Sequence, residues 1–292
     1  MLTQVRSTIT SFVGTKSFIF FLMLSMVYSA NAQYTGRILN NGDTIKTLPE
    51  VVVTAREYDQ FELVGPSQQP AWTLVRKFPS TRTYIMVPKG TTMYEKWFDM
   101  RDRRDGPTQI RMRDEFAFGL ANRLELDLYL HTVYDGEPGE KTFGMRGFSW
   151  EVRYALADWG KIWGNPTLYF EHKLLNGNMG IEPKLLLGGN VGNRGIWGLN
   201  LIYEGNIAPT REQREHELAY TASYGKVLTN DFTIGVSNMY RYNDIDGTSE
   251  WYVGPALQYR FNGHAYLNAE ILPGLNPDSK KFRNTIIFGW RF

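Results

Sequence analysis

From Ile110 onward, apolar side chains recur at every second position in one run after another. Ile110, Met112, Phe116 and Phe118 interleave with Arg111, Arg113, Glu115 and Ala117; Leu124, Leu126, Leu128 and Leu130 interleave with Glu125, Asp127 and Tyr129. Phe148, Trp150, Val152 and Tyr154 then alternate with Ser149, Glu151, Arg153 and Ala155. A spacing of two places each set on one face of an extended strand, whereas a helix would bring apolar residues back at three and four. The pattern continues with Leu168, Phe170 and Leu174 opposing Tyr169, Glu171 and Lys173, and with Ile181, Leu185 and Leu187 opposing Glu182, Lys184 and Gly188. It closes with Ile286, Phe288, Trp290 and Phe292 opposing Thr285, Ile287, Gly289 and Arg291. With a first strand between Tyr84 and Asp99, the count comes to about twelve, the even number that an up-and-down barrel needs.

Gly, Asn and Asp clusters separate the runs, as hairpin connections should. Connections near Ala121, Asp158 to Asn165, Val191 to Arg194, Thr229 to Asp231 and Asn262-Gly263 are expected at one end. Longer, more polar ones, at Asp135 to Lys141, Ile207 to Arg214, Tyr242 to Ser249 and Gly274 to Lys281, are expected at the other. The predicted class is all-β, a transmembrane antiparallel up-and-down β-barrel. A soluble β-sandwich also alternates, but its exposed faces are polar, and here the apolar face carries Trp and Tyr near the strand ends. Tyr154, Trp159, Trp163, Tyr224, Tyr259 and Trp290 are the expected interfacial girdle.

Composition fits. The 292 residues include 17 Tyr, 17 Phe and 8 Trp, and mean hydropathy is only −0.35. A barrel reconciles these values because alternate residues alone face lipid. Residues 1–32 read as a secretory signal peptide, with Arg6 and Lys16, an apolar core from Phe18 to Tyr28, and Ala30-Asn31-Ala32 as the cleavage site. Loss of Arg6 and Lys16 brings the 32 basic residues to parity with the 30 acidic ones, a balance that points to no nucleic-acid partner. Cysteine is absent, which excludes a disulfide framework and thiolate metal sites. Residues 33–82 carry turn residues without a sustained period and read as a periplasmic N-terminal arm, leaving 83–292 for the barrel.

The terminal NTIIFGWRF, ending on Phe292, resembles the C-terminal signal of bacterial outer-membrane β-barrel proteins, and the chain as a whole is similar to small transporter or porin-like barrels of that class. The resemblance implies a Gram-negative outer membrane, lipid as the surrounding partner, and recognition of the last strand by the barrel-assembly machinery. The parity of the strands then places both termini in the periplasm. Within the arm, LPEVVVTAR resembles the TonB box of TonB-dependent receptors through Glu50, Val51, Val52, Val53, Thr54 and Ala55. A strip of this kind can add as a strand to a periplasmic partner's sheet. The 22-stranded barrel of those receptors does not fit in the length that remains.

Candidate chemistry lies on the polar face. Arg111, Arg113, Glu115, Glu125, Asp127, Glu151, Arg153, Glu171, Lys173, Glu182 and Lys184 are the candidate lumen-lining residues. Charges facing a narrow lumen must pair or stay hydrated. If they leave a gap, the barrel is a passive channel or transporter for a small solute; if they close it, it is a structural or partner-binding barrel. Gly188, Gly198, Gly235, Gly254 and Gly289 fall on the inward register, where they either widen the lumen or admit a close backbone approach. A lipid-modifying enzyme is the third reading. It needs a His beside a nucleophile, and His131, His172, His216 and His264 show no such spacing. No catalytic residue, metal site or cofactor is therefore assigned.

Overall fold

The computed structural model describes residues 59–137, 140–207, 216–261 and 263–292. The signal-peptide segment and the Glu50 to Ala55 strip lie outside the described residues.

Twelve antiparallel strands form one closed barrel. They are β3 (Thr92–Asp102), β4 (Gln109–Ala121), β5 (Leu124–Glu137), β6 (Glu140–Ala155), β7 (Thr167–Leu175) and β8 (Asn178–Val191), followed by β9 (Gly195–Ile207), β10 (His216–Val227), β11 (Phe232–Asn243), β12 (Thr248–Arg260), β13 (Ala265–Pro273) and β14 (Phe282–Arg291). The last strand closes on the first, with Ile286 opposite Phe98 and Phe288 opposite Lys96. The seam finishes where the Phe292 amide donates to the Thr92 carbonyl at 2.9 Å. Closure removes both sheet edges, so no ladder group is left to be satisfied by lipid.

The alternation sorts as the pattern requires. Phe116, Leu128, Phe148, Leu168, Leu201, Ile234, Leu257, Ile286 and Phe288 are exposed on the outer surface. Glu115, Glu125, Glu151, Arg153, Asn268 and Ile287 are buried inside. Two irregularities disturb the register, one between Gly119 and Ala121 on β4 and one between His131 and Thr132 on β5, opposite the middle of β6. There Gly147 takes φ +142°, and a Cβ would collide with the Leu174 carbonyl, so only glycine fits.

The segment before the barrel departs from expectation. The first barrel strand begins at Thr92, and the stretch expected to be a periplasmic arm, from Gln69 on, is buried against inward-facing side chains of the barrel. It contains a small hairpin of β1 (Leu63–Val64) and β2 (Gln69–Pro70), a 3-10 turn over Ala71–Leu74, and a run without regular secondary structure to Pro88. Trp72, Phe78, Tyr84, Ile85 and Val87 are buried in it. The physical reason is that this segment has no periodic face with which to build its own core. It carries Arg76, Lys77 and Arg82, and the barrel interior offers carboxylates and polar acceptors to receive them.

Connections also differ. Of the stretch Asp135 to Lys141, expected as a longer connection, β5 takes up to Glu137 and β6 begins at Glu140, and β7 and β8 are joined by two residues at 176–177. The connection from 156 to 166 is long because it packs on the inner segment. Trp159, expected in the girdle, lies edge-on to Trp72 and Tyr84 with ring centroids 5.6 and 5.3 Å away, and its amide donates to the Ser67 carbonyl at 3.0 Å.

Candidate lumenal site

The inner segment is held by side chains from most of the barrel wall. Arg76 forms an ion pair with Glu95 on β3 and lies 3.3 Å from Glu115 on β4. Arg82 donates to Glu115 at 2.7 Å and to the Tyr129 hydroxyl at 3.1 Å. Asn200 on β9 clamps the Arg82 backbone from both sides, accepting from its amide at 2.9 Å and donating to its carbonyl at 2.6 Å. Glu125 on β5 accepts from the Met86 and Val87 amides at 2.8 and 3.2 Å. Ser80 donates to Glu270 at 3.0 Å, Asn268 donates to the Arg76 carbonyl at 2.8 Å, and Trp72 donates to Asn190 at 2.7 Å. Thr81 and Ser223 share a hydroxyl contact of 2.8 Å.

Lys77 differs from Arg76 and Arg82 in its partner. Its Nζ donates to the amide oxygen of Gln258 at 2.7 Å, and among the described residues no carboxylate forms an ion pair with it. Burial, with Arg260 nearby, pushes its pKa well below the ordinary lysine range, and Asp231 opposes this only in part.

The inward glycines find their use here. A Cβ on Gly188 would sit 2.7 Å from the Thr83 Cβ, and one on Gly198 would sit 2.8 Å from Thr83 Cγ2 and 2.9 Å from Thr81 Cγ2. Cβ atoms on Gly225 and Gly235 would press on the Phe78 ring. These positions hold no open space; they admit the inner segment. Gly289 similarly admits the Tyr266 ring, and Gly254 lies against the neighbouring strand at Ile271.

Among the sequence-predicted lumen residues, the structure gathers Glu125, Asp127 and Glu151 around the Arg153 guanidinium, all fully buried. Glu115 bridges this cluster to Arg76 and Arg82. Glu171, Lys173, Glu182 and Lys184 form an ion-pair ladder that continues through Glu204 to Arg241 and Glu217. Arg111 and Arg113 join neither group: Arg113 lies over the Trp97 ring at 4.0 Å and Arg111 donates to Gln109 at 2.7 Å. Sequence reasoning missed Arg76, Lys77 and Arg82, which have no place in any alternating run.

His131 stands beside a hydroxyl. Its Nε2 lies 2.8 Å from the Ser149 hydroxyl, which in turn donates to Glu171 at 2.6 Å. The hydroxyl proton is thus committed to the carboxylate, and the imidazole can only donate to the oxygen. That is the reverse of a base activating a nucleophile, in which the acid would hold the far ring nitrogen. Elsewhere His216 faces the Tyr203 hydroxyl at 3.2 Å, and His264 faces the Arg291 carbonyl at 3.0 Å.

No protein-family model and no curated protein matches the chain. Solved structures do. An outer-membrane channel from Pseudomonas putida F1 superposes with a TM-score of 0.52 at 12% identity, covering 72% of this chain and 98% of the channel. The KdgM porin, solved in complex with disordered oligogalacturonate, superposes with a TM-score of 0.50 at 14% identity, covering 68% of this chain and 99% of the porin. The fold is that of an outer-membrane β-barrel. At these identities the likeness extends to the architecture alone, and the outer-membrane barrel described here differs from an empty cylinder in what its lumen holds.

Proposed function

We propose that this outer-membrane barrel passes a small solute and that residues 60–88 are its gate. The observation that carries the reading is the chemistry of the inner segment's attachment. Its hydrogen bonds and ion pairs to the wall run through side chains, beside apolar packing of Trp72, Phe78 and Val87, while the barrel's own closure is made by backbone ladders. A segment bound in this way can leave without unfolding the cylinder. The solved channel and porin that share the architecture support passage as the task.

The Glu50 to Ala55 strip lies a few residues before the segment, and under this reading it is the handle by which a periplasmic partner draws the segment out. Both termini then face the periplasm, and the terminal strand through Phe292 is the part read by the barrel-assembly machinery. The donation of Ser149 to Glu171 supports a non-catalytic barrel. Single-channel recording in a planar bilayer tests the proposal. A chain lacking residues 60–88 should conduct steadily where the full chain conducts little; a folded but silent deletion variant would support the closed structural barrel instead.

A further inference from the structure

The two walls of the lumen beyond the inner segment differ in how their charges are paired. On β7 to β11 the three cations on the inward register each have a carboxylate: Lys173 and Lys184 on Glu182, and Arg241 on Glu204 and Glu217. On β14, β3 and β4 the balance is different. Arg283 stands directly across from Arg101 in the ladder, and Asp99 stands across from Arg111. Like charges placed directly opposite repel, and a sheet does not set them there without something between them. Asp99 is the carboxylate in their midst, and one of its oxygens receives both Arg101 at 2.8 Å and Arg283 at 3.4 Å.

Around Asp99, cations therefore outnumber carboxylates: Arg101, Arg111 and Arg283 against one. Among the described residues, neither Arg111 nor Arg113 makes an ion pair, and the charged neighbours of Arg111 are Arg101, Arg146, Arg283 and Asp99. Arg283 also keeps a buried Nε–H with no hydrogen-bond partner. A buried donor without an acceptor is costly, and a guanidinium fork is shaped to bind an oxyanion through two parallel bonds. Arg101, Arg111, Arg113 and Arg283 are only partly buried, so a solute in the lumen can reach them.

We propose that this arginine wall is a binding site for a solute carrying a carboxylate or phosphate group. The assignment rests on the solute-passage reading and names its class of solute: anionic, with the acid group seated between Arg111 and Arg283. Arg113 ties the site to the gate. Its guanidinium lies 4.0 Å from the Trp97 ring centroid, and Arg76 of the inner segment lies 4.3 Å from the same centroid. Trp97 in turn donates to Glu115, the carboxylate that holds Arg82.

Calorimetric titration of the full chain in a non-ionic detergent, at low ionic strength, tests the site with citrate, inorganic phosphate and a neutral sugar as probes. Citrate or phosphate should bind and the sugar should not. Arg111→Gln and Arg283→Gln should each weaken binding about tenfold, the loss of one charge-assisted bond. Arg111→Lys should restore part of it, and Lys89→Gln, a charge change on an exposed loop at the other end, should leave it unchanged. A difference in gel mobility between the unheated and the boiled chain confirms folding of each variant. Equal binding in Arg111→Gln, or no anion binding by the folded wild type, would overturn the site. Competition for citrate by added anionic lipid would also overturn it, assigning the arginines to headgroups. Binding in detergent does not depend on conduction. A barrel that conducts once residues 60–88 are deleted but binds no anion therefore refutes only the site, and one that binds but never conducts refutes only the passage reading.

Discussion

Arg76 and Glu95 form an ion pair in which both side chains are essentially inaccessible to solvent, one from the inner segment and the other from the first barrel strand. Glu95 also accepts from the Tyr266 hydroxyl and the Trp97 indole. Removing one partner of such a pair leaves the other buried and uncompensated, at a cost of about 3–5 kcal/mol. Arg76→Ala should therefore loosen the inner segment while the barrel persists. A cysteine at Thr81, in a chain that has none of its own, should become reactive to a water-soluble maleimide much faster in the Arg76→Ala background; unchanged labelling would refute the coupling.

Arg153 plays the corresponding part within the wall. It sits among Glu125, Asp127 and Glu151 with no exposed surface, and Arg82 reaches the cluster only at its edge, 3.8 Å from Asp127. Arg153→Met would leave three carboxylates crowded together in a dry interior. The expected result is a barrel that loses its heat-modifiable gel shift at lower temperature than the wild type. Restoring much of the loss with Arg153→Met combined with Glu151→Gln and Asp127→Asn would identify charge, and not volume, as the cause.

Gly198 should accept no larger residue while the inner segment is in place. Valine suits a strand, so the barrel itself has no objection. Its Cβ, however, would meet the Thr81 and Thr83 methyls at under 3 Å. Gly198→Val is expected to expel the segment, raising labelling at a nearby cysteine, and Thr81→Ser with Thr83→Ser should relieve the effect. A folded Gly198→Val barrel with normal labelling would contradict the close fit.

Lys77 gives the docking a pH dependence. Its pKa in the docked state lies well below the ordinary lysine value, from burial first and the Arg260 charge second. Between the two values the undocked state holds a proton that the docked state lacks. Docking therefore strengthens as pH rises through that window and weakens as pH falls toward the docked pKa. Lys77→Met should flatten the dependence measured by cysteine labelling. A wild-type segment more accessible at high pH would reverse the sign and reject the account.

Much of the barrel was legible because alternation states which side chains share a face, and Glu115, Glu125, Asp127, Glu151 and Arg153 all turn inward where the pattern puts them. The inner segment was not, because residues that fill a lumen need no period of their own. Two traces of it were present in the sequence all the same. The strands from β3 to β6 supply more acids to the lumen than their own arginines can pair, which asks for cations from elsewhere, and Arg76 and Arg82 answer. The inward glycines on β8 to β11 marked a close approach by chain, not an opening. Trp159 was misplaced for the same reason: its partners, Trp72 and Tyr84, belong to the segment that alternation could not show.

The gate is tested most directly where Thr81 and Ser223 meet, 2.8 Å apart between hydroxyls. Side chains that close sit near the roughly 3.5–4.5 Å Cβ separation that a disulfide needs. Thr81→Cys with Ser223→Cys can therefore staple the inner segment to β10, and conductance can be recorded from one preparation before and after reduction. The expected result is a silent barrel when oxidised and repeated openings once reductant is added. Equal conductance in the two states would contradict the gate.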